Sequence, residues 1–351
     1  VYLKMKMIKV FAPQSFNKDE DNVKILQPGI DNSKLVERVE LKDTAPYDPI
    51  EGKDADIMII HGSMPEKRSM ELRNQHPDIP AIILEYKDNW KLEHPNIDVL
   101  AHFKRSTVVK EPPQGAGRPI GIVNYPEHNV HFSPFCVRED IVEELKKHQS
   151  RERDIDVSCF FEPQMHNQKP YYASMYDEKI LNGYKRGSDL RFEVENTLRF
   201  CGQRKGIATA LSFARDWYGV SWNMHIGKTK GEDHVKGRRT PGEKYCEIMS
   251  RSKIIVTACP EGWEGDYRLM EAMSSGALVI HNEMLRPPDG LMNKQHWVTY
   301  RDIPEMLEKV YYYMKFPEEA KIIGEAGRNY VLNHHRPHHR LEQWLRTVSI
   351  L

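Results

Sequence analysis

The sequence predicts an α/β protein with parallel sheets, divided into two domains. Short apolar runs such as Asp56–His61, Ala81–Glu85, Ile254–Thr257 and Ala277–Ile280 are too short for helices and read as strands buried on both faces. They alternate with longer helical stretches, and a strand–helix–strand succession favours a parallel sheet. At 351 residues the chain is long enough for two such units.

Each element follows from local signals. Met5–Phe11 is the first strand, and Leu35–Leu41, weakly alternating, is the second. Asp56–His61 runs into His61-Gly62-Ser63, and Pro65–Gln75 is a short polar helix with proline in its first turn. Ala81–Glu85 ends near Tyr86 and Asp88, and strand Val99–Phe103 precedes Lys104-Arg105-Ser106. Lys110–Pro119 is a Pro/Gly loop, Ile141–Gln149 a charged helix, and polar Ser150–Asp154 sets a domain boundary near residue 150. The second domain opens on strand Asp156–Phe161. A long polar stretch precedes helix Lys205–Tyr218, strand Val220–Ile226 and helix Gly242–Ser250. Strand Ile254–Thr257 leads through the loop Cys259–Asp266 into helix Tyr267–Met273, which Gly276 is placed to cap. Ala277–Ile280 and Trp297–Tyr300 are the last strands, and Ile303–Met314, Glu318–Asn333 and Pro337–Ile350 the last helices. The domains are therefore expected at 1–150 and 151–335, with a terminal helix over 336–351 packing back towards the first.

Composition excludes several classes. The 51 basic residues are balanced by 51 acidic ones, so no global field attracts nucleic acid or an anionic membrane. The five cysteines are odd in number and form no C-x-x-C pair, which argues against a disulfide framework or a zinc site. No apolar run approaches the roughly 18 residues of a membrane helix. Signal-peptide and N-x-S/T patterns are absent from the sequence. A cytoplasmic protein without an integral membrane segment is expected.

The most informative stretch is Tyr245–Ile280, read as helix, strand, loop, helix, strand. In an open α/β sheet, ligands sit beyond the C-terminal ends of the strands. An acidic, Gly-rich loop leading into a helix N-terminus suits a phosphorylated ligand that also offers hydroxyls. The stretch resembles the nucleotide-sugar-binding half of GT-B glycosyltransferases, in particular the glycosyltransferase-family-1-like and exostosin-like groups. Their pattern of a "P-x-G" loop, "R-L-x-E-A" and "G-x-x-P/L-V-I" is met by Pro260, Gly262, Arg268, Leu269, Glu271, Ala272, Gly276, Val279 and Ile280. The resemblance covers roughly residues 155–330. It implies two Rossmann-like domains facing across a cleft, with the acceptor in the first and the nucleotide sugar in the second. It gives Glu271 the ribose hydroxyls. Many retaining members carry an earlier Glu at a fixed spacing. Here Glu261 stands ten and Glu264 seven residues before Glu271, so the chain departs from that spacing.

The residue chemistry supports the same site. A carboxylate at Glu271 can accept two hydroxyl hydrogen bonds; the bland alternative is an acid complementing the helix dipole. Arg268, one turn earlier, can neutralise a diphosphate or simply pair with Glu271. Asp266, Glu261 and Gly262 complete the loop. Lys228 and Arg239 lie in a Gly-rich basic loop that lacks the P-loop spacing, and Arg204 and Lys205 form a second basic turn before a helix. Any of these could equally be solvated charges. In the first domain His61 is a candidate general base, since its pKa suits neutral pH, with Glu85 and Asp88 as rivals. The D-x-D matches at Asp19, Asp54 and Asp154 precede strands or lie in polar sequence and read as solvated charges. The run His334-His335-Arg-Pro-His338-His339 could bind a transition metal adventitiously and is given no catalytic role.

The expected function is metal-independent transfer of a hexosyl or pentosyl group from a nucleotide-diphosphate sugar to a hydroxyl of a glycan or glycoconjugate. No cofactor is expected. The alternatives are an epimerase or hydrolase of nucleotide sugars with the same fold, or a non-catalytic nucleotide- or glycan-binding module.

Overall fold

The computed structural model describes residues 7–12, 25–38, 55–86, 91–105, 107, 122–160, 194, 197–198, 224–226, 242–258, 266–284 and 286–350. The chain divides into two compact units. One comprises Val1–Lys110, Gly121–Glu139 and His334–Leu351; the other comprises Glu111–Ile120 and Asp140–Asn333. The strands in chain order are β1 (Ile8–Phe11), β2 (Val36–Arg38), β3 (Ile57–His61), β4 (Ala81–Glu85), β5 (Ala101–Lys104), β6 (Val130–Phe132), β7 (Ile155–Cys159), β8 (Met224–Ile226), β9 (Ser252–Thr257), β10 (Leu278–Asn282) and β11 (Val298–Tyr300). The helices are α1 (Gln27–Asn32), α2 (Glu66–Gln75), α3 (Glu139–His148), α4 (Glu243–Arg251), α5 (Tyr267–Ser274), α6 (Ile303–Lys315), α7 (Pro317–His334) and α8 (Pro337–Thr347).

The first unit holds a parallel sheet in the order β2-β1-β3-β4-β5-β6. All of β3 and β4 is buried, as expected of a parallel sheet covered on both faces. Met58, Ile60 and Ile83 on one face join Phe11, Leu72 and Ile79 in one core cluster. Each fully buried aliphatic side chain contributes about 1.5–3 kcal/mol, so β3 and β4 together form the centre of this sheet's core. Helix α8 belongs to this unit. Its Trp344 is buried, its indole Nε1 donates to Ser133 Oγ at 2.9 Å, and its ring meets Tyr86 and Phe103 at centroid distances of 6.4 and 6.0 Å. Gly29 lets α1 approach the start of α8, where an added Cβ would lie 3.0 Å from the Pro337 carbonyl oxygen.

The run His334–His339 is structural. His335 Nδ1 pairs with Arg340 Nη2 at 2.8 Å, Arg336 forms an ion pair with Glu139, and His339 Nδ1 accepts from the Arg336 amide at 3.3 Å to cap α8. Burial and the neighbouring His338 and Arg336 push the His339 pKa down to about 4, so it stays neutral and keeps that acceptor.

The second unit holds a parallel sheet in the order β11-β10-β9-β7-β8. Its core gathers Val157, Ile254, Val256, Leu278, Ile280, Val298 and Tyr300 from the strands, with Val310 and Ile323 from α6 and α7. Every residue of α5 is buried. The turn after α5 reverses at Gly276, whose φ of +78° is one that a side chain resists. Helix α7 lies directly on that turn, since a Cβ at Gly324 would fall 2.6 Å from the Gly276 carbonyl oxygen. No helix among the described residues is long and apolar enough to cross a membrane.

Candidate functional site

Parallel strands deliver their last residues to one edge of each sheet, so chemistry collects there. In the first unit that edge carries His61, Glu85 and Lys104. His61 Nδ1 lies 2.6 Å from Ser63 Oγ and accepts from the Ser63 amide at 3.1 Å. Its ring stacks towards Tyr86 at 6.3 Å. Glu85 and Lys104 are register partners on β4 and β5. His102, two residues before Lys104, shares its face of the strand. The result is a buried ionic cluster: His102 Nδ1 is 2.9 Å from Glu85 Oε1, and Lys104 Nζ and the Glu93 amide donate to Oε2 at 3.1 Å each. Burial alone would raise the Glu85 pKa, but His102 and Lys104 outweigh it and hold the carboxyl below its usual value. Lys104 is also lowered, because burial costs its ammonium more than Glu85 returns.

In the second unit the corresponding edge is the junction of β9 with α5. Asp266 caps α5: its Oδ1 accepts from the Leu269 amide at 3.0 Å, and its Oδ2 accepts from Arg268 Nη1 at 3.0 Å. Tyr245 of α4 donates its phenolic proton to Glu271 Oε2 at 2.7 Å. Arg268, Tyr245, Asp266 and Glu271 are all buried. Burial works against the Arg268 guanidinium, but Asp266, Tyr245 and Glu271 around it raise its pKa overall. Burial, then the Glu271 charge, pushes the Tyr245 phenol well above its ordinary range, so it acts only as a donor. One fixed cation thus stands among two carboxylates beside a helix N-terminus. That set can orient a diol on a carboxylate and place a positive charge near a phosphate.

The structure therefore brings together Asp266, Arg268 and Glu271 of the sequence-predicted set, and places His61 and Glu85 at the strand ends of the first unit. Arg268 takes Asp266, not Glu271, as its hydrogen-bonded ion-pair partner. Asp88, Arg204, Lys205, Lys228, Arg239, Glu261 and Gly262 lie outside the described residues. Three participants were not singled out from sequence: Tyr245, His102 and Lys104. The alternation of Ala101-His102-Phe103-Lys104 was a readable signal for the last two. Nothing local marked Tyr245, which meets Glu271 from a different helix.

Two of the D-x-D matches are partly accounted for. Asp154 and Asp156 form ion pairs with Arg251 and Lys253, at 2.6 Å in each case. Asp56 accepts from the Lys9 amide at 2.8 Å. A cavity of about 750 Å³ lies at the opposite edge of the second sheet, lined by Arg153, Asp156, Lys253, Gly276, Tyr313 and Lys321 among others, well separated along the strands from the α5 cluster.

A family model described as Glycosyl transferase-like matches residues 203–346, a span that contains Tyr245, Asp266, Arg268 and Glu271. No curated protein matches the chain. Among solved structures, TarM, for which a Staphylococcus aureus structure is also known, is similar at 13% identity and a TM-score of 0.45; the alignment covers 83% of this chain and 54% of TarM. The chain thus spans about half the length of TarM. Alr3699/HepE of Anabaena in complex with UDP-glucose is similar at 10% identity and a TM-score of 0.44, covering 99% of this chain and 100% of that one. A glycosyltransferase from Rickettsia africae is similar at 12% identity and a TM-score of 0.48, covering 98% of each chain.

Proposed function

We propose that the protein is a glycosyltransferase that moves a hexosyl or pentosyl group from a nucleotide-diphosphate sugar to a hydroxyl of a glycan or glycoconjugate. One observation carries this reading: the Glycosyl transferase-like match spans the buried Tyr245–Arg268–Glu271 cluster at the C-terminal edge of a parallel sheet. In this reading Glu271 receives the ribose hydroxyls, oriented by Tyr245. Arg268 and the N-terminus of α5 offset charge on the departing diphosphate, the role a metal plays elsewhere. Lys228, Arg239, Arg204 and Lys205 would add cations to the same end, and Glu261 and Gly262 would line the loop. For the acceptor, His61 is the preferred base. Both oxygens of Glu85 are already engaged, which favours a positioning role for that residue. Asp88 stays a rival.

The test is a panel of nucleotide sugars read by thermal shift and by donor hydrolysis, since a ligand that binds the folded state raises stability even without turnover. A shift with one nucleoside diphosphate and its sugars, together with acceptor-dependent release of the nucleotide, supports transfer. Turnover without any acceptor favours the epimerase or hydrolase, and binding without turnover favours a binding module.

A further inference from the structure

The described residues hold a second cluster with ligand chemistry, between α3 and the first turn of α4. Glu144 and His148 stand four apart on α3 and so share one face of that helix. Glu243 opens α4 immediately after Gly242 and faces them. One ligand atom from each of the three lies within 4.8 Å of the others. His148 is only 3% exposed, and neither of its ring nitrogens makes a hydrogen bond among the described residues. Its Nε2 is turned to Glu144 Oε1 at 3.3 Å. A buried imidazole whose Nε2 meets only the Glu144 carboxylate, and whose Nδ1 makes no hydrogen bond among the described residues, is under-satisfied and has room for a further partner.

We propose that Glu144, His148 and Glu243 form a binding site for a divalent transition-metal ion, zinc in the first instance, that clips α3 to α4. One imidazole nitrogen and two carboxylate oxygens make a borderline donor set that suits zinc better than calcium or copper(I), with water completing the shell. Ligand atoms around an ion with bonds of about 2.1 Å sit about 3–4 Å apart, so closure needs only a small rotamer change. Glu243 is exposed and can supply it. A competing cation is Lys147, whose Nζ donates to the other Glu144 oxygen, Oε2, at 2.6 Å and also feels Glu243. Lys147 is two-thirds exposed. It can stay on Oε2 while Oε1 turns to the ion, or swing into solvent. The clip would fix the first turn of α4, two residues before Tyr245.

The experiment uses the full chain, stripped with chelator and dialysed. Zinc is titrated by calorimetry, and cobalt(II) is added separately to read its visible absorption. Expected are one zinc equivalent, a cobalt spectrum of a mixed nitrogen–oxygen site, and a rise in Tm of about 2–6 °C at saturation. Glu243→Gln and His148→Gln should each weaken binding by at least about tenfold. Glu243 is exposed, so its variant tests the site without disturbing the core. Absence of saturable binding overturns the proposal, and the cluster is then an ion pair at the end of α3. Wild-type affinity in both variants also overturns it, and assigns the ion elsewhere, for example to the histidines at 334–339.

Discussion

Tyr245 donates a 2.7 Å hydrogen bond to Glu271 Oε2, so the carboxylate assigned to the ribose is held by a phenol from another helix. The bond is buried, and the raised pKa of Tyr245 keeps its proton in place. Tyr245→Phe keeps the ring and its edge contact with Phe160 but removes the donor. We predict a loss of about 1–3 kcal/mol in stability, because one oxygen of a buried carboxylate loses its partner. Nucleoside diphosphate affinity should fall with it. Calorimetry and denaturant melts on the same variant check both, and an unchanged affinity would mean that Tyr245 does not position Glu271.

The Glu85–His102–Lys104 cluster predicts an acid-sensitive first unit. The folded pKa of Glu85 lies below its ordinary value, so the unfolded chain binds the proton more readily. Its contribution is present above the usual carboxylate range and is lost as pH falls through the lower, folded value. Glu85→Gln should flatten the acid limb of stability against pH. Lys104→Ala should destabilise by about 3–5 kcal/mol, since it strands a buried charge. An identical acid limb in Glu85→Gln would contradict this account.

Gly276 predicts a backbone effect. Its φ is +78°, and an added Cβ would lie 3.0 Å from Arg153 Nη2. That nitrogen donates to the Ser275 carbonyl at 2.6 Å, so it is not free to retreat. Gly276→Ala should therefore cost about 1–2 kcal/mol in left-handed strain, plus any displacement of Arg153. A Tm within a degree or so of wild type would show that the turn relaxes.

Turnover is predicted to survive chelation. Asp154 and Asp156 are engaged with Arg251 and Lys253, and the cation near Glu271, Arg268, comes from the chain itself. Chelator should lower Tm if an ion leaves Glu144, His148 and Glu243, yet leave the rate at moderate temperature. Complete loss of rate, restored by manganese or magnesium, would move the mechanism to a metal-dependent one.

The strands and helices around β9, α5 and β10 were legible because buried β-branched runs, a Gly/Pro loop and the capping Gly276 all point the same way. Two elements carried no such signal. β6 has only three residues, two of them half-buried, at the sheet edge. α1 contains both proline and glycine and owes its helix to packing under α8. The site shows the same division. Glu271 and Arg268 stood out within a sequence pattern. Tyr245 did not, because its role depends on where α4 sits against α5. Lys104 likewise needed the register that sets it beside Glu85.

The central claim is that Glu271 binds the nucleotide of the donor sugar. The direct measurement is calorimetric titration of wild type and Glu271→Ala with the nucleoside diphosphate that gives the largest thermal shift, each protein first shown to be folded. A charged hydrogen bond is worth about 1.5–3 kcal/mol, so the variant should bind roughly 10- to 150-fold more weakly. Equal affinity in a folded Glu271→Ala protein would contradict the account and remove the donor site from the junction of β9 and α5.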